Sequence, residues 1–574
     1  MTADFVFLIL FLVMLGLIVH SVRRRSHLPR NRERHLRLRL RLRRRPGPGH
    51  ATGFQLWWYS GRWSSYRKSG QTRPLLTRME RARHADQHSV FLGRGHHFRG
   101  LRVSVQEHVL IFAPPRTGKT QLLSHVAVHY RGPEVITSTK ADVFRDTSGL
   151  RLLCGPIAVL NPQMIGGPQA ASTVRWSPIE GCQDRAVAIR RADGFANAVH
   201  GTGGDKENVI FRNAARAYLR AMFHAAALVP GGDMRLVARW ALTATKGGAQ
   251  DAEIILRANG AGEWADELAQ LRGAAERTNA TNEMVMTQVM GFMANPQLAA
   301  AALPGPGAID LPRFLAGCGT LYLIADPEGN DESPLSPYFA ALASEVRYVA
   351  TMIGQASPSR RLDPPLAMLL DEATQICRCP IPSWLADSGG KGVQIFTVVH
   401  GEAQLGEAWG PYGQRIILDT SGCKVVLPGV DDPSTLEMLS KICGEHSYRV
   451  DGQDKWQQHP RMTPSMINQL PDGFALVKRG NCPPAVAKLA AVRKDRSVRL
   501  ARRQGWVTAE LQDAVVLPEL REPQLTGSAG LESVARLRPP RDGERVQADG
   551  GELADVLPSP RADRPTYPWE ARRG

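Results

Sequence analysis

The sequence predicts an α/β protein: short buried strands alternating with helices, interrupted by an all-helical insertion. An apolar N-terminal run precedes this body and a polar tail follows it. Three observations carry the prediction. Short apolar runs of strand length recur at 109–112, 134–138, 157–160, 320–325, 366–370, 393–399, 424–427 and 475–478. Helical periodicity separates them, as at 337–352 and 431–443. Residues 182–302 are rich in Ala, Arg and Met with almost no strand signal, so they read as a helical domain inserted into the sheet.

The chain has 574 residues, room for about three or four domains. Its apolar content of 43% is enough for substantial cores, and its net charge of +18 predicts anionic partners, nucleic acid or an anionic membrane. Residues 21–50 hold twelve Arg and one Glu, so +11 of that charge lies near the N-terminus; the remaining +7 is as consistent with a solvated surface. The eight cysteines form no C-x-x-C pair, and Cys377 and Cys379 have no histidine cluster beside them, so they read as free thiols in a reducing compartment.

Residues 5–19 are an unbroken apolar run. At ~1.5 Å per residue a helix there reaches about 22 Å, and flanking residues and snorkelling arginines extend it toward the ~30 Å hydrocarbon core. Asp4 precedes the run and Arg23, Arg24 and Arg25 follow it, the reverse of a cleaved signal peptide. The expectation is a single-pass membrane anchor, with the bulk of the chain cytoplasmic. The basic segment 36–45, LRLRLRLRRR, suits anionic lipid, with a DNA-contacting arm as the alternative. Trp57, Trp58, Tyr59, Trp63 and Tyr66, interleaved with Arg62, Arg67 and Lys68, read as ordinary packing or as an interfacial or stacking surface. From about 523 the chain is Pro-, Gly- and charge-rich, the composition of a disordered tail. The expected boundaries are 1–22 anchor, 23–100 basic region and linker, 101–181 first part of the sheet domain, 182–305 all-α domain, 306–500 second part, and 501–574 extension.

Residues 108–130, HVLIFAPPRTGKTQLLSHVAVHY, carry the chemistry. An apolar strand, the loop Ala113, Pro114, Pro115, Arg116, Thr117, Gly118, Lys119 and Thr120, and an amphipathic helix follow in the order a phosphate-binding P-loop requires. Loop N–H groups and the helix N-terminus attract phosphate, Lys119 reaches the β- and γ-phosphates, and the Thr120 hydroxyl holds Mg²⁺. Ala113 stands where the motif has its first Gly. The second half is LAMLLDEA at 366–373, an apolar strand ending in two carboxylates. Asp371 suits the Mg²⁺ shell and Glu372 suits orienting or deprotonating an attacking water. ATP and Mg²⁺ are the cofactors these two motifs call for.

Together with EHVLIFAPPRTGKT, the stretches VITSTKADVFRDT (135–147), VRWSPIEG (174–181), LLDEATQI (369–376), ADSGGKGVQIFTVVHGEAQL (386–405), SGCKVVLPG (421–429) and LPDGFALV (470–477) resemble, in order and spacing, the type IV secretion coupling proteins of the TraG/TraD type. The resemblance implies a RecA-like motor sheet with an inserted all-α domain and a ring, typically a homo-hexamer, with ATP sites between subunits. It implies ATP-driven passage of single-stranded DNA with its attached relaxase into a secretion channel. A coupling ATPase for protein substrates and a non-hydrolysing membrane scaffold are the alternatives. Two local departures concern the site. Where the family has Gln-Ser after strand 393–399, this chain has His400-Gly401, and His400 takes the place of the γ-phosphate sensor. Where the family has Gly-Arg-Ser-Arg-Gly, this chain has 388–392, SGGKG, leaving Lys391 in the place of a trans-acting arginine finger. Arg378 and Arg415 are the other candidates for that finger. A third departure is the single apolar anchor, where many relatives have two.

Overall fold

The computed structural model describes residues 49–503, except 199–204, 245–246, 328–332 and 450–455. The expected anchor at 5–19, the basic segment 36–45 and the tail from 504 onward lie outside the described residues. Among the described residues no helix is long and apolar enough to cross a membrane.

Thirteen strands are present among the described residues: β1 Ser89–Arg94, β2 Gly100–Ser104, β3 Val109–Phe112, β4 Glu134–Ser138, β5 Ile157–Leu160, β6 Thr320–Ile324, β7 Leu366–Leu370, β8 Val393–Val399, β9 Cys423–Val426, β10 Glu445–Arg449, β11 Trp456–Pro460, β12 Phe474–Arg479 and β13 Ala485–Leu489. Eleven form one sheet in the order β2-β1-β13-β12-β9-β3-β8-β7-β4-β6-β5, and β10 and β11 form a separate hairpin. From β9 to β5 every pairing is parallel; from β9 outward to β2 every pairing is antiparallel. The parallel strands are buried on both faces, which explains why they are mostly apolar without strict alternation. In β3, Leu110 and Phe112 enter one core while Val109 and Ile111 enter the other, beneath helix Lys119–His129.

Between β5 and β6 the named elements are helical, and all but the short 3-10 turns Pro168–Ala170 and Gly291–Ala294 are α-helices, from Arg185–Ala196 to Leu311–Ala316. Side-chain caps mark several starts: Asp184, Asp233, Asn295 and Asp310 each accept from the first-turn backbone. The helical part shares one apolar cluster with a face of the sheet. Phe195, Phe223, Phe292 and Tyr338 pack ring against ring at that junction, and Tyr338 donates to the Trp176 carbonyl at 2.6 Å. Glu345 accepts from Arg190 at 3.0 Å and lies 3.0 Å from Arg191, joining helix Ser336–Ala356 to helix Arg185–Ala196.

The sheet is wider than the sequence reading expected. The strand-like runs of the sequence span 109 to 478, yet β1 and β2 precede them and β13 follows, and helices occupy part of residues 53–83. Gly and Arg interrupt β1 and β2, a bulge breaks their register between Phe91 and Gly93, and β13 is short and Ala-rich. These antiparallel edge strands lack the doubly buried pattern that identifies the parallel ones. Three helices, Gly53–Ser60, Arg62–Thr72 and Arg78–Arg83, precede them. Arg479 fastens this layer to the sheet through a bidentate bond to Glu107, at 2.6 and 2.7 Å, and a bond to the Tyr59 carbonyl. Its aromatic residues stack on one another near the surface: the Trp57 and Trp63 planes are 4° apart, Arg67 lies over Trp58, and Phe54 is 68% exposed.

The interior contains one fully buried arginine that organises the strand starts. Arg151 donates to Thr320 Oγ1 at 2.8 Å, the Tyr130 carbonyl at 2.7 Å and the Gly132 carbonyl at 2.8 Å, and lies 3.3 Å from Glu134. Arg151→Met removes these bonds and leaves the buried Thr320 hydroxyl, the Tyr130 and Gly132 carbonyls and Glu134 without their donor, so it should lower folding stability by about 3–5 kcal/mol. A clear drop in the denaturant midpoint is the expected result; an unchanged midpoint would show that this network does not hold the strand starts.

Candidate nucleotide site

Three loops meet at the carboxyl ends of β3, β8 and β7. The register aligns Phe112 with Val399 and Leu370 with Thr397, so the residues that follow β3 and β7 flank the end of β8. The crevice beyond the strand ends is where open α/β sheets bind ligands.

The first loop is the predicted one. Ala113 closes onto β8, its N–H donating to the Val399 carbonyl at 2.8 Å. Pro115 and Arg116 are exposed, and Thr117 Oγ1 donates back to the Pro114 carbonyl at 2.7 Å. Arg116 and Gly118 both take left-handed backbone, at φ 64° and 99°. Nothing lies within 4 Å of where a Gly118 Cβ would stand, so the loop faces open space at the start of helix Lys119–His129. Thr120 is half-buried in the first turn of that helix.

The second loop carries the carboxylates. Lys119 Nζ pairs with Glu372 Oε1 and lies 3.3 Å from Asp371 Oδ1. Asp371 Oδ1 is buried, makes no directed hydrogen bond and meets the ammonium only as an ion pair. Burial, reinforced by the neighbouring Glu372 charge, pushes the Asp371 carboxyl up to about 6, although Lys119 opposes the shift. Glu372 sits at φ 51°, a left-handed position for a non-glycine residue. Thr137 on β4 holds the turn by donating its hydroxyl to the Asp371 carbonyl at 2.7 Å.

The third loop begins at His400. Its Nδ1 is 2.9 Å from the Ala113 carbonyl, which only accepts, so Nδ1 carries the proton. Its Nε2 lies 3.3 Å from Glu372 Oε2. A neutral His400 therefore spends its single N–H within the protein. This alters the expected sensor role: only the imidazolium has a second N–H to offer. Gln404 receives the His400 backbone N–H at 2.8 Å.

Lys119, Asp371, Glu372 and His400 are thus brought together. Lys391 is not among them. It precedes β8, at the opposite end of a seven-residue strand, roughly 20 Å away at strand rise. There it pairs with Asp387, which also accepts from Arg347 at 2.7 Å. Arg378 is buried and directed inward, its guanidinium donating to the Glu407 carbonyl at 3.4 Å, whereas Arg415 is exposed on helix Glu402–Thr420. Thr137 and Gln404 escaped the sequence reading. Only the tertiary fold reveals their hydrogen bonds.

The residues present fit a magnesium nucleotide. An open loop of backbone donors suits phosphate, and a threonine hydroxyl with an underused buried carboxylate oxygen suits a hard cation.

Residues 365–472 match the family model described as the TraM recognition site of TraD and TraG. That segment is similar to the corresponding part of TraD and TraG. The matched segment contains β7 to β11, and so the Asp371, Glu372 and His400 side of the crevice. Among solved structures, the fold matches the bacterial conjugative coupling protein TrwB (ΔN70, trigonal form with sulphate) at TM-score 0.52 and 20% identity, covering 67% of this chain and 85% of that one. It matches TrwB with the non-hydrolysable GTP analogue GDPNP at TM-score 0.53 and 19% identity, covering 68% and 88%. It matches TrwB with ADP and Mg²⁺ at TM-score 0.51 and 20% identity, covering 67% and 85%. Among curated proteins none matches the sequence significantly.

The Asp371 carboxyl gives a pH test. Its raised value means that it holds a proton below about pH 6, whereas a Mg²⁺ ligand must be ionised. Mg²⁺-dependent nucleotide affinity should therefore rise as pH increases through about 6. A fluorescent-nucleotide titration with and without Mg²⁺ reads this directly. Asp371→Asn should remove both the Mg²⁺ gain and its pH dependence; an Mg²⁺ gain equal on both sides of pH 6 would remove Asp371 from the metal shell.

Proposed function

We propose that this chain is a membrane-anchored ATPase that couples ATP hydrolysis to passage of single-stranded DNA, carried with a relaxase, into a type IV secretion channel. The observation that carries the reading is the convergence of Lys119, Asp371, Glu372 and His400 at three neighbouring strand ends. The TraD/TraG match and the TrwB-like fold support the conjugative setting. The apolar run and the arginines after it support a plasma-membrane anchor, with segment 36–45 on anionic lipid.

ATP with Mg²⁺ supplies the reactive phosphoryl group. The loop 113–120 and Lys119 would hold its phosphates, and Thr120 and Asp371 would hold the cation. Glu372 acts as the base: once phosphate draws Lys119 away, its carboxylate is free to orient a water and accept its proton. His400 links the two halves of the site, with Nδ1 on the P-loop carbonyl and Nε2 toward the base. Lys391 acts on a neighbouring subunit in a homo-hexameric ring, since its place at the far end of β8 removes it from its own site.

The decisive measurement is ATP hydrolysis with and without single-stranded DNA. DNA-stimulated turnover is expected; turnover indifferent to DNA would favour protein substrates, and none at all a scaffold. Lys119→Ala should abolish nucleotide binding. Glu372→Gln should keep binding and lose about 10²–10⁴-fold in turnover; unchanged turnover would place the base elsewhere.

The trans role of Lys391 has its own signature. Lys391→Ala should bind ATP and hydrolyse it poorly, an arginine finger being worth ~10³–10⁵ in rate. Mixed with Lys119→Ala subunits it should regain activity, because some interfaces then combine an intact loop with an intact lysine. Full hydrolysis by Lys391→Ala in assembled rings would transfer the role to Arg415, the exposed candidate.

A further inference from the structure

On the far side of the P-loop helix, a second cluster has no part in the nucleotide site. His125 and His129 stand one turn apart on helix Lys119–His129, so both rings emerge on one face. Asp495 meets them from the segment that follows β13. His129 Nε2 lies 2.7 Å from Asp495 Oδ2, and His125 Nδ1 lies 3.5 Å from the same oxygen. One donor atom from each of the three residues falls within 4.8 Å of the others. His125 is only 7% exposed, yet neither of its ring nitrogens has a hydrogen-bond partner.

We propose that His125, His129 and Asp495 form a binding site for a divalent transition-metal ion, with zinc the best fit. Two imidazoles and one carboxylate are zinc ligands, and three protein ligands leave a fourth position for water. Bonds of about 2.0–2.2 Å in a tetrahedral arrangement separate donor atoms by about 3.3 Å. The His125–Asp495 distance is already close to that value. The shorter His129–Asp495 distance is that of a hydrogen bond, and it opens when the metal replaces the shared proton.

The surroundings support a ligand set over a simple pair. Asp495 divides its two oxygens: Oδ1 caps helix Arg496–Arg503, accepting from the Ser497 N–H at 2.9 Å, while Oδ2 faces the imidazoles. One oxygen is thereby held in place by backbone and the other is left to coordinate. The edge of Phe91 on β1 packs against the His125 ring. Asp86 and Arg102 flank the cluster, paired with each other at 2.7 Å, so they add little net charge.

An ion there fixes the point at which the described chain leaves the sheet. The Arg493 N–H already donates to Gln121 on the same helix at 3.2 Å. A metal adds a second fastening, between the helix that carries Lys119 and Thr120 and the segment leading to residues 504–574.

The test is a Co²⁺ titration of the untagged full chain in detergent, free of nucleotide and stripped of metal. We expect one Co²⁺ per chain with a visible ligand-field band, displaced by Zn²⁺. His129→Gln and Asp495→Asn should each lose the band while retaining nucleotide binding, which separates this site from the crevice. His129→Cys should keep the ion and add a thiolate-to-cobalt charge-transfer band, which a merely structural histidine would not produce. Failure of the folded wild-type chain to take up one equivalent overturns the proposal, as does an uptake unchanged in both His129→Gln and Asp495→Asn.

Discussion

The Lys119 ammonium, placed between the Asp371 and Glu372 carboxylates, is the contact on which the rest of the site depends. Each of the three groups is nearly buried, and none is stable there alone, because an unpaired charge removed from water is costly. Bringing them together requires β3, β8 and β7 to be parallel, adjacent and aligned to the residue. The register supplies this, and two hydrogen bonds lock it: Ala113 N–H to Val399, and Thr137 hydroxyl to Asp371. The lysine stands where it balances the carboxylates.

That balance has a cost, and its location is visible. Asp371 keeps an oxygen without a directed hydrogen bond, and burial raises its proton affinity. Glu372 and Arg116 adopt left-handed backbone without being glycine. Strain of this kind amounts to roughly 1–3 kcal/mol per residue and gathers at binding and catalytic sites. Here the three features lie in loops that share one crevice, consistent with a site shaped for a ligand that relieves them.

Much of this was legible in the sequence. The parallel strands are buried on both faces, so β3, β4, β7 and β8 announce themselves as apolar runs, and the motifs at their ends followed. The edge strands did not, because β1, β2 and β13 mix Arg, Lys, Gly and Ala and take their place through antiparallel pairing. Nor could the sequence locate Lys391. It is close to His400 along the chain, but β8 lies between them and separates them by its whole length. Likewise, the proton on His400 is set by the Ala113 carbonyl, a contact nearly three hundred residues away along the chain. Local pattern names the strand; only the fold says which end of it a residue occupies.

Charge bookkeeping extends the argument to the assembly. Within one chain the positive charge of Lys119 is already matched by carboxylates. Arg116, exposed on the rim of the loop, is the neighbouring cation of the same motif. A polyphosphate brings more negative charge than these two neutralise, and Mg²⁺ offsets part of it. The remainder calls for a further cation on the open side of the crevice. Helix Lys119–His129 closes one flank, and β9 and β7 the others, so the approach is from solvent. A cation arriving from solvent belongs to another molecule or another subunit. In the ring proposed above, the Lys391 end of one sheet would face the crevice of the next and supply that cation.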